Sequence, residues 1–395
     1  MEKKPAIRFE GYTEDWEQRK LGEVFKEYSE KNHPELPALT IIQGGGTVKR
    51  EESDRNLMYD KSNLSGYRMV RENDFIVHLR SFEGGLEKAS SDGIISPAYH
   101  TFHGENVDSR FYYPYFRSHE FIKRKLIAHV YGIRDGRSID IDGMKTIEIP
   151  YTTYEEQYKI GEYLENFDHL ITLHQSNYEK LVATKNSMLD KLFPQGDAKV
   201  PAIRFEGFAG DWEKKPLGAI VIPYSDPVEV PHNGYERLGI RSHGKGVFHE
   251  YVEAGKEITT AQLHRVAAHN FIVNITFAWE HAVAVTCDSD AGKLVSHRFP
   301  QFSMADGIHD QFLKYLILDA RFCHHLLLSS PGGAGRNRVL KIPEMLEYEM
   351  MIPDIEEQKQ IADYLNSLDE LIELYRIRIE KLKNIKAACL QGMFV

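Results

Sequence analysis

A chain of 395 residues is too long for one ordinary hydrophobic core, so two domains are expected. Hydrophobic content of 42% beside 27% charged residues is that of a soluble globular protein; no apolar run approaches the roughly 18 residues of a membrane helix, and the opening Met-Glu-Lys-Lys-Pro lacks a signal core. A net charge of −10 argues mildly against a nucleic-acid partner for the chain as a whole, and three cysteines without metal spacing (Cys287, Cys323, Cys389) fit a reducing cytoplasm.

In chain order, the first motif is one that is used twice. Pro5-Ala6-Ile7-Arg8-Phe9-Glu10-Gly11 recurs as Pro201-Ala202-Ile203-Arg204-Phe205-Glu206-Gly207. Asp15-Trp16-Glu17 recurs as Asp211-Trp212-Glu213, and Leu21-Gly22 as Leu217-Gly218. A period of about 200 residues is far longer than a solenoid repeat, so each copy can hold its own core. The blocks that follow diverge, with scattered landmarks: Asn73-Asp74-Phe75-Ile76-Val77 echoes His269-Asn270-Phe271-Ile272-Val273. Strands are expected at 75–79, 147–149, 271–277 and 282–286, between Gly, Asp and Asn turns, and helices at 112–128 and 310–329. That describes mixed α/β domains with an irregular sheet and an internal pseudo-two-fold, an α+β protein. Basic residues gather at Arg117, Lys123, Arg124, Lys125, Arg134 and Arg137, and again at Arg336, Arg338 and Lys341. Such clusters on an acidic chain point to separate faces for separate partners.

Each block leads into a long helix. The chain therefore divides into block 1–152, helix 153–193, block 194–353 and helix 354–395. Glu155-Glu156-Gln157 matches Glu356-Glu357-Gln358. Thr153 with Glu156, and Asp354 with Glu357, have the spacing of capping boxes. A heptad seam follows: Ile160, Leu164, Phe167, Ile171, His174, Tyr178, Leu181, Lys185, Met188 and Leu192. The second copy gives Ile361, Leu365, Leu368, Ile372, Tyr375, Ile379, Leu382, Lys386, Cys389 and Met393. Both seams break at a lysine, Lys185 or Lys386, which either fixes register or snorkels at a fraying end. A helix of about 38 residues is a rod of roughly 57 Å, whereas the link 194–200 reaches at most about 25 Å. The two helices are therefore expected to pair antiparallel, with one block at each end and Met1 near Val395.

Enzyme signatures are missing. Gly44-Gly45-Gly46 is no dinucleotide fingerprint, and Ala291-Gly292-Lys293-Leu294 lacks the phosphate-loop spacing. Pro353-Asp354-Ile355-Glu356-Glu357-Gln358-Lys359 superficially resembles a nuclease motif, but it is compressed onto a helix start that capping explains. We find no catalytic nucleophile, no metal constellation and no cofactor loop, and expect no enzyme. Arginine in a Gly-rich loop suits bidentate contact with a guanine edge or a phosphate. Three loops fit: 79–86 with Arg80 and Ser81, 131–137 with Arg134 and Arg137, and 331–338 with Arg336, Asn337 and Arg338. For any one of these arginines, an exposed arginine or a structural salt bridge is at least as good a reading as a base contact; the recurrence of the loop in both blocks, at 131–137 and 331–338, raises that pair. Lys88, Arg241, Lys245 and Lys341 complete the candidate DNA-binding set. Trp279, in Ala278-Trp279-Glu280-His281, reads as core, with an aromatic contact as the alternative.

In these features the chain resembles the DNA specificity subunits of Type I restriction–modification systems over nearly its whole length. The duplicated starts, 79–86, 278–284 with Val295-Ser296-His297-Arg298-Phe299, 331–340 and the paired Glu-Glu-Gln helices carry the resemblance. It implies two target recognition domains, each reading half of a split double-stranded DNA sequence, with the helices setting the gap. It implies that Ile160, Leu164, Phe167, Ile171, Leu181, Ile361, Leu365, Leu368, Ile372 and Leu382 belong to spacer and partner helices. Two methyltransferase subunits and restriction motor–nuclease subunits are the implied partners, and S-adenosylmethionine, ATP and Mg²⁺ would sit on them. The alternative is a coiled-coil structural adaptor without sequence-specific DNA binding.

Overall fold

The computed structural model describes residues 4–53, 61–78, 85–132, 137–257, 262–332 and 338–394, with 61–63 as backbone only. The chain divides into two compact units, Met1–Asn177 with Tyr375–Val395, and Tyr178–Leu374. Each is a mixture of strands and helices, as an α+β chain requires.

In the first unit, strand Glu17–Lys20 pairs antiparallel with Glu148–Tyr151, which brings the two ends of the block together. A four-stranded sheet follows, in the order Phe25–Tyr28, Tyr99–Gly104, Phe75–His78, Glu87–Lys88. Helix Ser109–Phe116 covers it, and aromatic edges fill the interface: Phe25 meets Phe75, Tyr112 and Phe116 at ring-centre distances of 5.2, 5.0 and 5.6 Å. The helix expected over 112–128 is instead broken. It ends at Phe116 and resumes as irregular turns, Glu120–Lys125 and Leu126–His129. The Ser118 hydroxyl takes the Phe121 amide at 3.1 Å, giving the backbone a local alternative to a continuing helix.

The second unit repeats this frame. Glu213–Pro216 pairs with Glu349–Ile352, and a four-stranded sheet runs Val221–Tyr224, Gln301–Met304, Phe271–Val273, Val283–Val285. The helical stretch expected at 310–329 is two helices, Asp310–Leu316 and Ala320–Leu328, with the Asp319 carboxylate capping the second. The difference lies in the insertion. The second unit adds a five-stranded sheet with the hairpin Tyr235–Ile240/Val247–Val252 at its edge, where the first unit has two small ladders, Leu39–Ile42/Gly46–Lys49 and Arg68–Val70/Gly93–Ile95.

The long helices span Tyr154–Leu192 and Ile355–Met393, 39 residues each. In the first unit they pair antiparallel: Asp168 meets Lys386, and six residues later the His174 ring lies 5.3 Å from that of Tyr375. The carboxyl end of the second helix closes the first block. Ile7 donates its amide to the Gly392 carbonyl at 2.8 Å, and the Phe394 ring lies 4.9 Å from Phe111 and 5.5 Å from Tyr115. In the second unit the end of the first helix does the same, with Ile203 donating to the Lys191 carbonyl at 3.0 Å and Phe193 5.5 Å from Phe312. Met1 and Val395, expected to be neighbours, lie outside the described residues.

Among the described residues only the first capping box forms, and only in half. The Thr153 hydroxyl accepts the Glu156 amide at 3.3 Å. The Glu156 carboxylate does not reach back; it is buried and accepts both arms of the Arg8 guanidinium, at 2.6 and 2.9 Å. Glu357 likewise takes Arg204, at 2.8 and 2.7 Å. A buried carboxylate gains more from a bidentate guanidinium than from one amide, and the tertiary partner wins over the local box.

Candidate nucleic-acid interface

In the second unit three segments from distant parts of the sequence meet. The first is the turn of the 235–252 hairpin. The Arg241 amide donates to the Gly246 carbonyl at 2.9 Å, and His243, Gly244 and Gly246 take positive φ, which glycine adopts at little cost. The second is the short helical turn Ala278–Glu280 ending at His281, itself left-handed at φ 62°. The third is the chain returning at 338–341, held by Leu340 donating to the Ile275 carbonyl and Lys341 to that of Ser329, both at 2.8 Å.

Glu280 and His281 bind the first segment to the second. Ser242 donates its hydroxyl to the Glu280 carboxylate at 2.6 Å, and the His243 and Gly244 amides donate to the Glu280 and His281 carbonyls at 2.7 and 2.9 Å. Burial holds the His281 imidazole below its usual pKa, so the neutral ring donates to the Ile317 carbonyl at 2.7 Å and anchors the turn. The Arg338 guanidinium then lies 5.6 Å above the Trp279 ring, joining the third segment. Trp279 is not core: it is half-buried, outside the apolar clusters, with its indole N–H on the Thr276 carbonyl at 3.1 Å. Its amphipathic ring holds the arginine, so burying it completely would strip the guanidinium of its support. Arg241 and Lys245 are exposed on the hairpin turn, with Arg241 5.2 Å over Phe248. Beneath lies a cavity of about 350 Å³ that Ser242, Asn274 and the exposed Phe277 help to line. Lys341 sits apart in chemistry, its ammonium 2.5 Å from Glu344.

In the first unit the candidates lie on two hairpins. Strand Phe75–His78 pairs with Glu87–Lys88, and the Lys88 ammonium is 3.4 Å from the Asn73 side-chain oxygen. Gly85, at φ +73°, packs so tightly that a Cβ would fall 2.1 Å from the Phe116 carbonyl oxygen. Buried Glu87 secures the base, accepting the Gly44 amide and the Tyr113 hydroxyl at 2.8 Å each and an arm of Arg117. Val130–Tyr131 pairs with Ser138–Ile139, and Arg137 is exposed at the entry to the latter. Arg80, Ser81, Arg134, Arg336 and Asn337 lie outside the described residues.

The seam residues divide by position. Ile160 and Leu164 are buried in the first core, and Ile361, Leu365 and Leu368 in the second. Phe167, Ile171, Leu181, Ile372 and Leu382 are half-buried. The seam lysines cross to the opposite helix: Lys185 pairs with Asp369 and Lys386 with Asp168, each at 2.5 Å. These are the same two positions of the repeat, which favours the register reading over a fraying end. Sequence reasoning missed the joint at each helix start. There Gln157 accepts the Asp108 amide at 3.0 Å and donates to the Thr152 carbonyl at 2.7 Å, while Gln358 accepts the His309 amide at 2.9 Å and donates to the Pro353 carbonyl at 2.8 Å. The duplicated Arg8 and Arg204 had no assigned partner, and the duplicated buried acid was the signal that could have supplied one.

A family described as Type I restriction modification DNA specificity domain matches residues 13–183 and 251–384, more than half of the chain. The chain belongs to this family. It is 24% identical over 397 residues to the Type I restriction enzyme MjaVIII specificity subunit of Methanocaldococcus jannaschii, spanning 94% of this chain and 90% of that one. Its fold is that of the S subunit of a Type I restriction–modification system from M. genitalium, with TM-score 0.61, 15% identity and 99% of both chains covered. The specificity domain thus falls on both copies of the repeat, and the match omits 184–250, which includes the Arg241 and Lys245 turn. Among the described residues, no helix is long and apolar enough to cross a membrane, and no cluster of three or more His, Cys, Asp or Glu could hold a metal.

Proposed function

We propose that this chain is the non-catalytic DNA-reading subunit of a Type I restriction–modification complex, with one block reading each half of a split, asymmetric target. The observation that carries the reading is the match of the specificity domain to both copies of the repeat, whose frames agree and whose insertions differ. Like frames with unlike insertions suit two heads that read two different sequences. Arg241, Lys245 and Arg338 are the strongest candidates for the second half-site, because three segments converge on the Trp279 turn. For the first half-site the candidates are Lys88 and Arg137, and from the sequence alone Arg80, Ser81 and Arg134. Half-sites roughly 34–36 Å apart would face one side of the duplex. Two methyltransferase subunits and the restriction subunits would bring S-adenosylmethionine, ATP and Mg²⁺, and their surfaces would offset the acidic charge of this chain at the phosphates.

The test is a map of methylated adenines made by the complex of this chain with its methyltransferase subunit. One split motif is expected. Arg338→Ala should weaken binding by about 1–3 kcal/mol and relax the bases of one half only. A complex without a split motif overturns the reading, and binding blind to sequence favours the adaptor.

A further inference from the structure

Each long helix begins at a joint built from buried polar groups. Glu156 and Glu357 have side chains 1% exposed, and Gln157 and Gln358 are fully buried. In the first unit the joint ties the helix start to three other segments: the lead through Arg8, the end of strand Glu148–Tyr151 through the Thr152 carbonyl, and the approach to helix Ser109–Phe116 through the Asp108 amide. In the second unit Arg204, the Pro353 carbonyl and the His309 amide take the same places, with the Gly307 carbonyl accepting from Gln358 at 3.0 Å. Packed apolar side chains would hold a helix at least as firmly, because a buried ion pair adds little net stability. What the guanidinium fork and the amide add is direction: their hydrogen bonds are planar and fail when the helix turns. Direction matters here because a helix of roughly 58 Å tilted by about 5° at its base moves its far end by roughly 5 Å, more than one base-pair step.

We propose that Arg8, Glu156 and Gln157, with Arg204, Glu357 and Gln358, are positioning residues that fix the direction in which each long helix leaves its block. They thereby restrict the complex to one gap between its half-sites. This rests on the bipartite reading above and adds to it a set of residues that touch no DNA.

The experiment uses the full chain with its methyltransferase subunit on a DNA library carrying both half-sites at every gap. The joint is opened by Arg204→Met with Glu357→Gln, and separately by Arg8→Met with Glu156→Gln, so that no buried charge is orphaned. The wild type should prefer one gap about tenfold over its neighbours, and the joint variants less than about threefold, with the bases of both halves unchanged. Arg204→Lys, which keeps the charge and loses the fork, should fall between them and carries the test if a double variant does not assemble. Phe322→Leu, in the second core, serves as a variant of matched thermal stability and should keep the sharp gap. A sharp gap in the joint variants overturns the proposal, as does equal broadening by Phe322→Leu. A wild type without a split motif removes the bipartite reading, and the proposal with it.

Discussion

Glu156 and Glu357 occupy the same position of the repeat, and both are buried, yet they are held differently. Glu156 accepts Arg8, the Trp16 indole N–H at 3.0 Å and the Thr152 hydroxyl. Glu357 has Arg204 in the same fork, but Pro353 stands where Thr152 would be, and the Trp212 N–H, in a residue only 3% exposed, has no partner among the described residues. The first carboxylate is held by three groups and the second by one. The same helix start can therefore be redundant in one copy and dependent on a single residue in the other, although the motif reads alike in both.

The largest expected consequence falls on Arg204. Arg204→Met leaves Glu357 charged, buried and unpaired, a change that costs roughly 3–5 kcal/mol. Arg8→Met leaves Glu156 with Trp16 and Thr152, and should cost about half as much. Hydrogen exchange of the helix starts, with denaturant unfolding of each variant, measures the difference. Equal costs would mean that Trp16 and Thr152 do not back up Arg8.

The tryptophans sharpen the comparison in the opposite sense. Trp16→Phe removes a hydrogen bond to a buried carboxylate and should cost about 1.5–3 kcal/mol. Trp212→Phe removes a donor that has no acceptor, keeps most of the ring packing against Phe193 and Phe312, and should cost less than about 1 kcal/mol. Thermal unfolding of the two variants decides it; a costlier Trp212→Phe would mean that its N–H finds an acceptor in solution.

The same contrast explains what was legible in the sequence. The seam was legible because period and burial agree: Ile160, Leu164, Ile361 and Leu365 recur at fixed spacing and are buried. The Glu-Glu-Gln repeat was legible as a helix start, but its bonds were not, since the Arg8 to Glu156 contact closes over nearly the whole block. Local spacing suggested a capping box, and a long-range partner took the carboxylate. Trp279 was misread because its composition suits a core, whereas its neighbours in space, Arg338 and the 241–246 turn, are remote in sequence. The five-stranded sheet of the second unit was not legible at all: three of its strands have only two or three residues, and the strand order crosses the chain.

The seam lysines give the smallest difference and one with a pH signature. Asp369 has a side chain 32% exposed and accepts the Tyr315 hydroxyl at 2.7 Å as well as Lys185, whereas Asp168 is 60% exposed and faces Lys386. Burial alone would raise the pKa of Asp369. Hydrogen bonds from Lys185 and Tyr315, with the charges of Lys185 and Lys314, outweigh it and hold the group below the ordinary aspartate range. A depressed carboxylate contributes its stability above the unfolded value, near 3.9, and loses it as pH falls through the lower folded value. The contribution should therefore be intact at neutral pH and vanish only below about pH 4. Lys185→Met removes the leading partner and should cost up to about 1 kcal/mol at pH 7, with a shallower loss on acidification. Lys386→Met breaks an open pair and should cost less than about 0.5 kcal/mol. Urea midpoints from pH 7 to pH 2 separate the two; an acid loss in Lys185→Met as steep as in the wild type would mean that Tyr315 and Lys314, not the seam lysine, hold Asp369 ionised.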